Sequence, residues 1–130
     1  MLLRLLFDQP EVFLLVSVGL VISISIHEFA HAYIADKLGD DTPRLLGRVT
    51  LNPLSHLDPI GTLLLVVAGF GWGKPVSFNP INLANPKRDS ALIALAGPAS
   101  NFILAMLLAS SVSFNFWVRR YSKIFICNNF

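Results

Sequence analysis

At 130 residues the chain has room for a single domain. Hydrophobic residues make up 54% and charged residues 14%, with a mean hydropathy of +0.63, which excludes an ordinary domain whose whole surface faces water. A net charge of +2 is too mild to point to nucleic acid, and a lone cysteine, Cys127, excludes both an intrachain disulfide and a Cys-rich zinc site.

The first element in chain order is an uncharged run at 12–26 that extends through "HEFAH" to Lys37. The pattern predicts one helix over about 11–38, ended by Gly39. About 26 residues at 1.5 Å each rise roughly 39 Å, enough to cross a bilayer with tilt. A cleaved leader is the competing reading, with Arg4 as its basic flank and "AHA" at 30–32 as the cleavage site. Asp8, Glu11 and Glu28 stand where such a leader does not want acids. Asp36, Asp40 and Asp41 read as the solvated end of the helix.

A polar connection follows, and within it "GRVTLNP" at 47–53 is similar to "GKPVSFNP" at 73–80. Both predict short strands at the membrane surface, each closed by an Asn-Pro turn, with Pro75 placing the second at an edge. The alternative is two connectors that share only turn chemistry. Between them, the glycine-rich apolar run at 59–73 is too short to span and fits a re-entrant hairpin.

The second long apolar segment, 91–118, has no charge. It predicts a helix over about 90–118 capped by Asp89 or Ser90. Gly97 and Pro98 in "AGPASN" interrupt it, either as a plain kink or, with Asn101, as a close-packing point that supports a site. Trp72 and Trp117 read as interface anchors. Residues 114–130 read as an atypical tail, and Cys127 has no assigned role. The expected fold class is an α-helical integral membrane protein with about two transmembrane helices, a re-entrant hairpin and two membrane-surface strands. If 59–73 is re-entrant, Lys37, Arg44, Arg48, Lys74, Lys87 and Arg88 share one side, against Arg4, Arg119, Arg120 and Lys123. That balance leans toward the cytoplasm for the first group.

His27, Glu28 and His31 carry the chemistry. Side chains four residues apart on a helix lie about 40° apart around it, so the imidazoles of His27 and His31 can reach one metal ion. Zinc accepts two imidazole nitrogens and wants a third protein ligand, leaving a position for water. Glu28 is placed to take a proton from that water, which is why H-E-x-x-H on a helix marks metalloproteases. Three ionisable groups at membrane depth are costly without such a role.

The ordered set "HEFAHAYIADKLGDDTPRLLGRVTLNPLSHLDPIGTLLL", "GFGWGKPVSFNP" and "ALAGPASN" resembles the N-terminal part of the site-2 protease family, intramembrane zinc metalloproteases, over about residues 10–110. The resemblance makes 1–113 a partial family membrane domain. It implies that His27 and His31 ligate Zn2+, that Glu28 is the catalytic base, and that an extended substrate segment pairs with an edge strand near the site. It also implies a third ligand, an aspartate in a Leu-Asp-Gly motif of a later helix, which is not found in this chain. His56 and Asp58 are the other residues with ligand chemistry near an apolar segment. They could ligate zinc directly, cap a turn, touch substrate or support the ligands, as could Asn101 in the last two roles.

Three functions follow. The first is a zinc-dependent intramembrane endopeptidase that hydrolyses peptide bonds of membrane-associated proteins, with a second copy as one source of the missing ligand. The second is a catalytically inactive, truncated family member acting as a membrane binding protein. The third, a metal carrier, leaves Glu28 without purpose. The expected partners are the lipid bilayer and a membrane-protein or peptide substrate, with oligomers allowed and no nucleic acid. The expected location is the plasma membrane of a bacterium or an equivalent organelle membrane.

Overall fold

The structure is a computed structural model that describes residues 2–68 and 70–127, with side chains from 3 to 115 apart from 69. Five α-helices follow in order: α1 (Leu2–Asp8), α2 (Pro10–Lys37), α3 (Thr42–Leu45), α4 (Pro59–Ala68) and α5 (Pro86–Cys127). Short 3-10 turns lie at Pro53–Ser55 and Pro80–Asn82. Proline sets the starting points. Pro10, Pro53, Pro59, Pro80 and Pro86 each stand first in a helical element. There the missing N–H has no helical partner to lose and the fixed φ is already helical.

The end of α2 is set by Gly39, as the sequence predicts. Its φ of +108° is open to glycine and strained for other residues. The Asp40 N–H donates to the Ala35 carbonyl at 3.0 Å and the Gly39 N–H to the Asp36 carbonyl at 3.3 Å, the paired bonds of a Schellman motif.

Two of the helices, α2 and the Pro86–Asn115 part of α5, are long and apolar enough to cross a membrane. They pack against each other, yet little of either is covered: Leu14, Leu15, Phe102 and Leu107 are each more than 60% exposed. A soluble core helix would bury such residues, whereas lipid is a suitable solvent for them. The buried apolar core is small. Ala32, Ala35, Leu83 and Ile93 form it, and Ala35, Leu83 and Ile93 are flanked by Ile34, Leu38 and Phe78. It sits where the C-terminal half of α2 meets the start of α5, and the three ionisable residues of the motif lie beside it.

Helix α5 begins four residues before the expected 90. Pro86 starts it, and the Asp89 carboxylate, expected as a cap, instead lies inside the first turn and accepts from the Asn85 N–H at 2.9 Å. The backbone stays helical past Pro98 and on through Cys127, covering most of the stretch read as a tail. The side chains of Trp117 and Cys127 lie outside the described residues.

The two expected strands do not form. Among the described residues the β pairing is one antiparallel bridge, Leu57 with Gly73, supported by the Lys74 N–H donating to the His56 carbonyl at 2.7 Å. The physical reason is where the backbone donors go. Gly47 turns at φ +67°, and Arg48 N–H returns to the Pro43 carbonyl at 2.8 Å. In the second segment, Pro75 has no donor, Val76 N–H goes to the Glu28 carboxylate at 3.2 Å, and Asn79 N–H goes to the Asp40 carboxylate at 2.6 Å. What the two segments share is their turns: Asn52 accepts from Leu54 N–H and Asn79 from Ile81 N–H, both at 3.1 Å, opening the two 3-10 turns.

Between the two partners of the bridge, the chain runs out along α4 and returns. Ten residues of helix rise about 15 Å, half a bilayer core. The return is close: a Cβ on Gly61 would overlap the Trp72 carbonyl, and one on Gly71 the Gly61 carbonyl. Helix α1 packs on both α2 and α4.

The polar end of α2 is not solvated throughout. Asp41 is exposed, but Asp36 is nearly covered and pairs with Arg44 at 2.6 Å, and Asp40 is fully buried. Asp40 accepts four hydrogen bonds: from the Thr42 hydroxyl (2.5 Å), the Thr42 N–H (3.2 Å), the Asn79 N–H (2.6 Å) and the Asn82 amide (2.8 Å). It joins the end of α2 to the turn before α5. Its burial disfavours the charge, but these four donors outweigh that and hold the carboxyl below its usual range.

Candidate metal centre

His27 and His31 stack one helical turn apart on α2, their rings edge to face with centroids 4.7 Å apart. Their Nε2 atoms converge. A methyl carbon built on Gly97 of α5 would lie 2.6 Å from His27 Nε2 and closer still to His31 Nε2. The two Nε2 atoms thus share one small space, and the floor of that space is a residue with no side chain.

The opposite nitrogens are held by α5. His31 Nδ1 lies 2.6 Å from the Ile93 carbonyl oxygen. A carbonyl only accepts, so Nδ1 carries the proton and, in the neutral ring, Nε2 presents its lone pair to the shared space. His27 Nδ1 lies 3.1 Å from the side-chain amide of Asn101. Ile93, Gly97 and Asn101 are spaced by four residues and form one stripe along α5.

Glu28 points to the neighbouring side. Its Oε2 accepts from the Val76 N–H, and with His31, Pro75, Val76, Phe78 and Ile93 it borders a cleft of about 210 Å³. The segment after Gly73 therefore passes beside the carboxylate at Val76. A Cβ on Gly73 would come within 3.1 Å of the His56 carbonyl and 3.0 Å of Ile24.

His56 and Asp58 are occupied elsewhere. His56 is fully buried, with Nε2 2.7 Å from the Thr50 carbonyl, and it anchors the connection on which the bridge forms. Asp58 Oδ1 accepts from the Gly61 N–H at 2.8 Å and its carbonyl from Thr62 N–H, so it opens α4 as a turn cap. Among the described residues, no group of three His, Cys, Asp or Glu side chains is gathered around one point. The donor set thus fits a metal in part: two imidazole nitrogens share a seat with a carboxylate one residue away, and a third protein ligand is not among the residues described.

Sequence reasoning placed Gly97 as a kink or packing residue and missed that it floors the seat. It also missed the Ile93 carbonyl and the Val76 N–H, because backbone groups leave no trace in residue identity. The four-residue spacing of Gly97 and Asn101 was the available signal.

Residues 15–125 match Peptidase family M50. The "Putative zinc metalloprotease YwhC" of Bacillus subtilis (strain 168) is 50% identical over 90 residues, which is 69% of this chain and 41% of that protein. The "Putative zinc metalloprotease Rip2" of Mycolicibacterium smegmatis is 38% identical over 101 residues, 75% of this chain and 39% of that one. A protein of the same name from Mycobacterium tuberculosis is 35% identical over 106 residues, 77% and 40% of the two chains. The chain spans about 40% of the length of these relatives. No solved structure matches it.

Proposed function

This chain belongs to peptidase family M50, the site-2 proteases, and on that premise we propose that it carries the histidine and glutamate portion of a zinc-dependent intramembrane endopeptidase. The observation that carries the reading is the convergence of His27 Nε2 and His31 Nε2 on one space beside Glu28. When bound there, zinc supplies Lewis-acid polarisation and a more acidic water.

The protein's own residues do the remainder. His27 and His31 hold the seat, and Glu28 accepts a proton from the attacking water and passes it to the leaving amine. Pro75, Val76 and Phe78 border the cleft beside Glu28, where an unwound substrate segment can lie. To act as a base, Glu28 has to exchange its Val76 N–H partner for water. The proposed substrates are peptide bonds of membrane-associated proteins, and the proposed setting is a bacterial plasma membrane or its organelle equivalent.

A second reading, a non-catalytic membrane binding protein, is favoured by the lack of a third ligand among the described residues. Peptidase assays in detergent with a quenched membrane-segment substrate separate the two. Under the first reading Glu28→Gln loses about 10²–10⁴-fold in turnover while retaining its metal. Equal turnover in Glu28→Gln would refute the role of Glu28. No turnover in the wild type with zinc bound would favour the second reading.

A further inference from the structure

We infer that Asn101 is a positioning residue: its amide oxygen accepts a hydrogen bond from His27 Nδ1–H, keeping the proton on Nδ1, and so commits His27 Nε2 to the seat above Gly97. The inference rests on the metal reading of that seat. His31 already shows the pattern, because its Nδ1 faces the Ile93 carbonyl, which can only accept. His27 faces a carboxamide instead, a group that offers either an acceptor or a donor after a half-turn.

With the amide nitrogen toward His27, Nδ1 must be the bare nitrogen and Nε2 carries the proton, pointing an N–H into the space it shares with His31 Nε2. Asn101 Oδ1 is then buried with no partner. With the half-turn, the oxygen accepts from Nδ1–H, and both Nε2 atoms, which lie close together above Gly97, carry lone pairs. Two neutral imidazole donors for one cation require this second arrangement. The partners on α5 then match: a carbonyl oxygen from Ile93 behind His31 and one from Asn101 behind His27, eight residues apart, with the bare Gly97 midway between them. Outer partners of this kind fix the tautomer and aim of a ligating histidine.

The chain has three histidines, so labelling them with nitrogen-15 gives a spectrum simple enough to assign. In the metal-free chain in micelles, His27 and His31 are both expected as the Nδ1–H tautomer. Asn101→Leu should lose that tautomer at His27 alone and weaken zinc binding by about 10–100-fold in competition with a chelator. Asn101→Asp, which can only accept, should keep both the tautomer and zinc affinity within a few-fold. An Nε2–H tautomer at His27 in the wild type, or an Asp variant that behaves like the Leu variant, would overturn the inference. If the wild type shows the expected tautomers yet takes up no zinc, the metal reading fails and the role of Asn101 in orienting His27 stands.

Discussion

Gly97→Ala should abolish metal binding at the histidine pair while the helices remain folded. One added methyl would lie 2.6 Å from His27 Nε2 and nearer still to His31 Nε2, crowding both nitrogens. Contacts that short are not tolerated, so at least one imidazole has to rotate away, and it can do so only by leaving its partner on α5, Asn101 or the Ile93 carbonyl. In membrane segments, small residues mark places where helices approach closely, and at most of them an added methyl merely loosens packing. Here it removes the seat. Zinc affinity should fall by at least about 100-fold, the upper range for disturbing a ligand's support, with circular dichroism unchanged. Retained zinc in the Ala variant would show that the metal sits elsewhere.

Asp40→Ala should give the second large effect, on stability rather than chemistry. Four donors lose an acceptor that is itself fully buried. Stranding buried partners of a charged group costs about 3 kcal/mol, corresponding to about 100-fold faster exchange of the Asn79 amide. The pH dependence has a definite sign. Because the folded carboxyl titrates below its usual range, its contribution is fully present above the unfolded value and is lost as pH falls through the folded one. Detergent-solubilised protein should therefore lose thermal stability below about pH 4, close to the ordinary carboxylate range, and Asp40→Asn should lack that component. An unchanged exchange rate in Asp40→Ala would show that the turn at Pro80–Asn82 is held by other contacts.

The helices were legible because proline, glycine and apolar runs act locally. Gly39 ended α2 where expected, since the left-handed turn there depends on one residue. The strands were not legible. Segments 47–53 and 73–80 look alike because each ends in Asn-Pro, and that pair opens a 3-10 turn in both places. Whether the residues before each turn become strands depends on where their N–H groups find partners. In the second segment the partners were carboxylates of Glu28 and Asp40, 48 and 39 residues away in sequence. Asp40 was misread for the same reason: an aspartate after a helix is usually solvated, and only the fold brings Asn79 and Asn82 to it.

The motif itself was legible as His27, Glu28 and His31, since spacing alone puts the imidazoles on one face. Its surroundings were not. Ile93 contributes a carbonyl, Gly97 an absence and Asn101 an amide, and nothing in "ALIALAGPASN" says which helix those groups face. The match to family M50 over residues 15–125 supports the assignment of the chain as a whole. It leaves the metal centre to be tested directly.

The most direct test of the central claim, that His27 and His31 jointly seat one metal ion over Gly97, is zinc content per chain in detergent-purified protein beside His27→Ala. The account predicts about one zinc per chain in the wild type and its loss in the variant. Zinc absent from the wild type, or equally present in His27→Ala, would contradict it.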